Sequence, residues 1–377
     1  MDTRVTGRPV WAEVDLSAIA HNMKELRRVT KPGAKVMAVV KANAYGHGAV
    51  SVSNTVLANG ADYLGVAILG EGRQLREAGI MAPILILGFT PAEQAVDVVD
   101  LDLTQTVYDF AGAEALSRSA VKAQKRVKIH IKVDTGLGRL GFLTDISTSQ
   151  EILRMAGLAN LEIEGIFTHF SVAGSRDKEY TYGQYTKFRE ILSQLKGLGL
   201  DIPIKHAANS AAAIDLPDVH LDMVRVGITI YGLYPSDEVF KEKVDLKPAL
   251  SLKALAAQVK TVQTDTSISY GRTYITNRET RVATIPIGYA DGYTRLLSNK
   301  AAAVIRGQRV PQIGTVCMDQ IMLDVSAVPD VKVGDEVVLI GEQGGQKVTA
   351  DELAGLIGTI NYEIVCMLGD RIPRVYV

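Results

Sequence analysis

The feature that most constrains this chain is a change of rhythm roughly two thirds of the way along it. Before residue 237, runs rich in aliphatic and β-branched residues recur eight times, at 36–40, 63–68, 83–87, 103–107, 127–133, 163–167, 204–208 and 223–230. Branching at Cβ suits a pleated chain and crowds a helix, so such runs read as strands. Most are followed by a stretch with helical spacing, such as 108–124, 147–158 and 178–198. Strands that alternate with helices pair in parallel, because each helix carries the chain back to the end where the next strand starts. Eight such units close into a (β/α)8 barrel, about 250 residues in the usual case, with reactive groups at the C-terminal ends of the strands. A separate strand at 10–16 comes first, with Ser17 as N-cap of the helix behind it.

The rhythm then changes. A polar stretch at 237–247 and an interrupting Pro248 form a linker. Strand-like runs dominate beyond it, at 252–262, 281–287, 302–305, 321–325 and 336–340, separated by turn signals at Asn277, Gly307-Gln308 and Gly344-Gly345. One helix is expected there, at 349–357, with Thr349 as N-cap and Glu352 completing a capping box. The expected fold is α/β: a TIM-like barrel at 10–240 followed by a mainly β domain at 248–377, with strand 10–16 free to pack with the second domain. A chain of 377 residues accommodates two such domains.

Composition narrows the class of partner. The formal net charge is -1 and no long run of one sign occurs, which argues against nucleic acid or a membrane surface as the main partner. Residues 1–10 are polar, carry two arginines and lack the apolar centre of a secretory signal. No apolar stretch approaches the roughly 20 residues of a membrane helix. Cys317 and Cys366 are the only cysteines, too few for a disulfide framework and without the histidine partners of a zinc site. The expectation is a cytoplasmic protein with no metal.

Several residues stand where chemistry is expected. The run Val39-Val40-Lys41-Ala42-Asn43-Ala44-Tyr45-Gly46-His47-Gly48 places an amine where the first barrel strand ends, ahead of a glycine-rich turn. Partial desolvation there lowers an ammonium toward the nucleophilic range and suits Schiff-base attachment of an aldehyde cofactor; position alone favours a solvated strand cap. Gly136-Leu137-Gly138-Arg139-Leu140-Gly141 matches G-x-G-x-x-G, with Glu162 and Glu164 downstream. A dinucleotide site belongs in the first unit of a doubly wound sheet, and Arg139 would stand inside the turn that must hug pyrophosphate, so the match is set aside.

Arg225 lies in the apolar run Val224-Arg225-Val226-Gly227-Ile228, where a guanidinium needs an anion or an acceptor; a buried ion pair would serve as well as a ligand. His169 ends a strand and, by itself, reads as a core histidine. Asn209-Ser210 follows the seventh strand and Gly227-Ile228 lies in the eighth, where barrels bind phosphate through amides and a hydroxyl. In the second domain, Ser269-Tyr270-Gly271 sets a tyrosine in a turn. Gly314-Thr315-Val316-Cys317-Met318-Asp319-Gln320 collects small, thiol, apolar and acidic residues. Neither segment names a reaction unaided.

Segments 39–48, 134–141, 224–227, 269–271, 288–292 and 317–320, in that order, resemble the alanine racemase family, from about Arg8 to Arg374. The resemblance implies a cofactor-binding barrel, a β-rich C-terminal domain and a head-to-tail homodimer. Each active site then combines one subunit's barrel with the Tyr270 loop of the other. It implies pyridoxal 5'-phosphate held covalently by Lys41, with Tyr45, Ser210, Gly227, Ile228 and Tyr362 at its phosphate, Asn209 among the cofactor-binding residues and Arg225 facing its pyridine nitrogen. His169 bridges toward Tyr270 of the partner subunit. Arg139 and Met318 receive the substrate carboxylate, and Lys132 occupies a position often carbamylated, where the anion steadies Arg139. Tyr289 and Asp319 line the access channel, beside Cys317. Leu137 stands where methionine is frequent, a change of little volume.

This set fits racemisation, which needs a carbanion at Cα and a proton returned to the opposite face. Lys41 is expected to serve the D-alanine proton and Tyr270 the L-alanine proton, the phenol being helped below its reference pKa of about 10 by His169 and nearby cations. A guanidinium at Arg225 keeps its own proton and leaves the ring nitrogen unprotonated, which disfavours side reactions. Related barrel decarboxylases place a glutamate there. The expected function is an alanine racemase supplying D-alanine for bacterial cell-wall peptidoglycan. A non-catalytic carrier of the same cofactor lacks a domain with Tyr270, and a decarboxylase lacks Arg225; a racemase of broader substrate range is a matter of pocket size.

Overall fold

The computed structural model describes residues 8–377, so the first seven residues of the 1–10 segment lie outside the described residues. The chain divides into two compact units. One takes in Ala18–Ala44 and Ala49–Pro248; the other takes in the chain up to Ser17, Tyr45–Gly48 and Ala249–Val377.

After β1 (Val10–Val14) come eight parallel strands: β2 (Lys35–Val39), β3 (Tyr63–Val66), β4 (Ile84–Ile86), β5 (Thr104–Val107), β6 (Val127–Lys132), β7 (Leu161–Phe167), β8 (Ile204–His206) and β9 (Met223–Val226). They pair in the order β8-β7-β6-β5-β4-β3-β2-β9. The ring is completed where the Asp222 amide donates to the Lys205 carbonyl and the Arg225 amide to that of Ala208, both at 3.0 Å. The (β/α)8 expectation therefore holds. Met37, Tyr63, Leu85, Phe167, Ile204 and Met223, from six of these strands, pack as one buried layer of the barrel. Burying each such side chain contributes about 1.5–3 kcal/mol.

Helices alternate with these strands, including Phe110–Ala123, Ile146–Ala156 and Glu179–Gly197. Two boundaries depart from the sequence reading. The first helix spans Leu16–Val29, and its cap is Asp15 rather than Ser17: the Asp15 carboxylate accepts from the Ser17 amide at 2.8 Å and its hydroxyl at 2.6 Å. An acceptor one residue earlier, carrying a charge suited to a helix N-terminus, wins the position. The last barrel strand stops at Val226 because the Gly227 amide leaves the ladder to donate to Ser210 Oγ, and a 3-10 turn, Ile228–Tyr231, follows.

The second unit is mainly β. Its β1 pairs antiparallel with Leu250–Leu255, from Val10 opposite Ala254 to Val14 opposite Leu250, and parallel with Arg374–Tyr376. The expected 252–262 strand is two strands. Leu250–Leu255 pairs with Glu336–Gln343, whereas Gln258–Val262 pairs with Thr280–Ile285, and Ala256-Ala257 makes the change of partner. A further strand, Gln308–Ile313, was hidden by its Pro311, a residue that usually argues against a strand interior. Thr349 caps the helix Ala350–Ile357 by accepting from the Glu352 amide at 3.0 Å. The other half of the box does not form, since the Glu352 carboxylate turns to Arg309. A second short helix, Asn361–Cys366, was not expected. Among the described residues, no helix is long and apolar enough to cross a membrane.

Candidate active site

Lys41 follows β2 at the C-terminal end of the barrel, and the chain beyond it takes an unusual path. Ala42, Asn43, Ala44 and Tyr45 all have φ between 50° and 53°, a left-handed turn built before the first glycine of the motif. Each L-residue held there costs roughly 1–2 kcal/mol, so other contacts must impose the turn. The Ala42 amide donates to Glu71 Oε1 at 2.6 Å, the Ala44 amide to the Val40 carbonyl at 2.9 Å, and the Ala49 amide to Asn43 Oδ1 at 2.8 Å. Glu71 also takes the Ala67 amide at 2.7 Å, which ties this turn to the end of the neighbouring strand.

The barrel interior is rich in cations. Arg225 is buried on β9; its Nη2 donates to the carbonyls of Thr168 (2.8 Å) and Ala207 (3.2 Å) and to His169 Nδ1 (3.1 Å). Its Nη1 donates to His206 Nδ1 at 3.0 Å. The guanidinium lies 5.1 Å from the centre of the Phe167 ring, Lys132 Nζ lies 4.5 Å from the same centre, and that ring stacks on His206. An electron-rich ring face offsets part of the cost of burying the guanidinium and the amine beside it.

Among the described residues, no carboxylate forms an ion pair with Arg225, Lys132 or Arg139. Burial and Arg139 lower Arg225 to about 9, which leaves it charged at neutral pH. Burial, then Arg225 and Arg139, push the Lys132 amine well below the usual lysine range. Burial, then Arg225, Lys132, Arg139 and Lys41, do the same to His169 and keep it neutral. With Nδ1 accepting from Arg225, neutral His169 carries its proton on Nε2.

Arg139 sits on a loop organised by one carboxylate. Asp134 Oδ1 accepts from the amides of Gly136 (2.9 Å), Leu137 (2.8 Å) and Gly138 (3.1 Å), and Oδ2 accepts from that of Arg139 (2.9 Å). Burial raises Asp134, but these four amides outweigh it and hold the carboxyl below its ordinary range. Gly141 has φ +134°, and a Cβ there would lie 2.5 Å from the Asp134 nitrogen. The glycines of the G-x-G-x-x-G run thus serve an aspartate-centred turn, not a pyrophosphate.

Two short helices begin close together where a phosphate was expected. Asn209 caps Ser210–Asp215, accepting from the Ala212 amide at 3.1 Å and donating to the Phe170 carbonyl at 3.3 Å. Ser210 Oγ accepts from the Gly227 amide at 2.8 Å and the Thr229 hydroxyl at 3.2 Å, where the turn through Ile228 starts. First-turn amides lack intrahelical acceptors and favour an anion.

The remaining expected site residues belong to the second unit. Tyr45 is buried, 6.1 Å from the ring of Tyr362, and burial pushes both phenols well above their ordinary range. Tyr270 stands 71% exposed in a turn. Its carbonyl accepts from the Thr315 hydroxyl at 2.8 Å, while the Ser269 hydroxyl donates to the Thr315 carbonyl at 2.6 Å and lies 3.3 Å from Cys317 Sγ. The Tyr289 and Ala290 amides donate to the carbonyls of Cys317 (3.1 Å) and Met318 (3.0 Å). This close approach excludes a side chain at Gly288, whose Cβ would strike both carbonyls. Tyr270, Tyr289 and Met318 are therefore presented on one exposed rim, 71%, 42% and 52% accessible, and Asp319 beside them accepts from Arg371 at 2.7 Å.

Sequence reasoning overlooked Glu71, Asp134, Phe167 and His206. One signal was available for the barrel's polar interior: Lys128, His130 and Lys132 alternate along β6 and so share one face.

The family model "Alanine racemase, N-terminal domain" matches residues 14–235, and "Alanine racemase, C-terminal domain" matches 249–376. The chain is 52% identical to the alanine racemase of Clostridium perfringens strain SM101, over 98% of this chain and 95% of that protein. It is 51% identical to that of Methanococcus maripaludis, over 99% of this chain and all of that protein. Among solved structures, the alanine racemase of Clostridium difficile 630 superposes with a TM-score of 0.95 at 41% identity, covering 99% of this chain and 97% of the other. That of Bacillus anthracis with bound L-Ala-P gives 0.94 at 39% identity, covering 99% and 96%.

Proposed function

The chain belongs to the alanine racemase family, and from that premise we propose that Lys41 and Tyr270 are the two proton-transfer groups of its alanine racemase activity. The family interconverts L- and D-alanine with pyridoxal phosphate and supplies D-alanine for bacterial peptidoglycan. The observation that carries the residue assignments is the barrel's cluster of cationic and hydrogen-donating groups, in which Arg225, Lys132 and Arg139 have no carboxylate pairing among the described residues. Such a donor set fits an anionic aldehyde phosphate together with a substrate carboxylate.

Lys41 would hold the cofactor through its amine; Tyr45, Asn209, Ser210, Gly227, Ile228 and Tyr362 would hold the phosphate, and Arg225 would face the ring nitrogen. Bound there, the group supplies a conjugated ring that spreads the charge left at Cα when its proton departs. The chain's own residues do the rest. Lys41 takes or returns the α-proton on the D face, and the Tyr270 phenol oxygen does so on the L face. Arg225 keeps its proton and withholds it from the ring nitrogen. His169, with Nδ1 engaged by Arg225, offers its Nε2 proton to the oxygen of the partner subunit's Tyr270. Arg139 and Met318 receive the substrate carboxylate. Burial and the neighbouring guanidinium groups lower the Lys132 amine and so favour its unprotonated form, the one that adds carbon dioxide with loss of a proton, which supports a carbamate beside Arg139. Tyr289, Cys317 and Asp319 shape the approach.

We further propose a homodimer in which Tyr270 completes the site of the partner subunit. The exposure of Tyr270, Tyr289 and Met318 on one rim supports this reading. The functional domains are read as 10–240 and 248–377, the pairing of β1 with Leu250–Leu255 favouring assignment of the first strand to the second domain. Two free thiols fit a reducing, cytoplasmic setting.

Alanine incubated in deuterated water tests the two roles. In Tyr270→Phe, the α-proton of L-alanine should cease to exchange while that of D-alanine still exchanges without inversion. Equal loss from both enantiomers would contradict the assignment.

A further inference from the structure

The barrel contains a line of hydrogen bonds that the reaction as described leaves unused, running from Arg225 toward the start of β6. Arg225 Nη1 donates to His206 Nδ1 at 3.0 Å, which fixes the proton of a neutral His206 on Nε2. That Nε2 lies 2.8 Å from His130 Nδ1, so His130 accepts there and carries its own proton on Nε2. His130 Nε2 lies 3.1 Å from Glu164 Oε2, and Glu164 Oε1 accepts from Lys128 Nζ at 2.6 Å. An imidazole that accepts on one nitrogen must donate on the other, so the polarity set at the carboxylate passes through both rings to the guanidinium. His130 and His206 are fully buried, and Arg225 and Glu164 nearly so.

The backbone is built to make this line. Between β6 and β7, Ile129 pairs with Ile163 but His130 pairs with Gly165, which leaves Glu164 as the extra residue of a bulge. A bulge redirects its side chain from the regular alternation of the strand. The next residue must be bare: a Cβ on Gly165 would lie 2.5 Å from His130 Nδ1 and Cε1.

We propose that Glu164 is a positioning residue for the racemase, acting through His130 and His206 to fix the orientation of Arg225. This rests on the reading that Arg225 serves the reacting centre. Glu164 also contributes the one negative charge in the line. Without it, either ring is free to adopt the other tautomer, and a flipped His206 would aim an N–H at the guanidinium. Two donors would then face each other, and Arg225 would turn away.

Nitrogen-15 NMR of the holoenzyme, labelled at its six histidines, reads the protonated ring nitrogen of His130 and His206 independently of turnover. Both should carry the proton on Nε2 in the unmodified protein. In Glu164→Leu the two rings should become tautomer mixtures, with kcat reduced about tenfold and KM changed by less than about twofold. Glu164→Gln keeps an acceptor of the same shape and should retain both tautomers and most of kcat. A His206 protonated on Nδ1 in the unmodified protein, or one whose signals ignore Glu164→Leu, overturns the proposal; the first result decides it even where the leucine variant does not fold. Arg225→Lys racemising at the unmodified rate would instead sink the role given to Arg225 while the histidine spectra stayed as described, so the two failures are told apart.

Discussion

The barrel interior and the exposed rim of the second unit prepare their functional groups by opposite means. Inside the barrel, Arg225 and Lys132 are buried and His169 is half-buried, and loss of solvent with repulsion among the cations shifts all three downward. Their chemistry is set by the fold that contains them. On the rim, Tyr270, Tyr289 and Met318 face solvent, held in place through backbone carbonyls and the hydroxyls of Ser269 and Thr315. Geometry is prepared there, while the electrostatic setting must come from whatever covers the rim. A two-base reaction benefits from this difference, because its two proton carriers need unlike environments.

The comparison breaks most visibly at Lys41. On the proposed assignment, Lys41→Ala removes the attaching amine and one proton carrier together, and racemisation in both directions should fall by about 10⁴-fold or more in a chiral alanine assay. Retained turnover would show that the barrel amine is dispensable.

Acidity separates the two regions next. His130, His169 and His206 are all held below the ordinary histidine value, burial being the largest cause in each. The unfolded chain therefore takes up protons that the native protein refuses, so stability is complete above about pH 6.5 and declines below it. The expected slope is about 1.4 kcal/mol per pH unit for each histidine, measured as urea midpoints between neutral and mildly acid pH. A flat profile would mean that these rings bind protons in the native state.

Phe167→Leu sharpens the interior half. It keeps an apolar filling but takes an aromatic face from Lys132 and Arg225, and should cost about 1–3 kcal/mol of stability together with a loss of kcat in both directions. Thr315→Val probes the rim and should do the least. It loses bonds to the Tyr270 carbonyl and the Thr273 hydroxyl, slowing L-to-D turnover by about twofold to fivefold with little change in melting temperature.

Legibility in the sequence follows the same division. Barrel strands buried on both faces appear as continuous aliphatic runs, so all eight were visible, and the lysine ending the first of them was placed where barrels react. Strands of the second unit were partly concealed. Apolar Ala256-Ala257 fused two strands into one run, and Pro311 disguised another. Roles for Tyr270, Met318 and Tyr362 came from the family resemblance, because an exposed tyrosine in a turn has no periodicity to betray it. Glu71 and Asp134 were unreadable for a related reason: each acts by collecting backbone amides, and nothing in composition marks a carboxylate for that purpose.

The most direct test of two proton carriers on different chains is subunit complementation. Lys41→Ala and Tyr270→Phe proteins, each nearly inactive, are mixed under conditions that allow exchange and assayed for alanine racemisation. If sites are shared, each mixed dimer regains one intact site, and equal mixing should restore about a quarter of the unmodified specific activity. Activity that stays at the average of the two variants, despite demonstrated exchange, would place both groups on one chain and contradict the account.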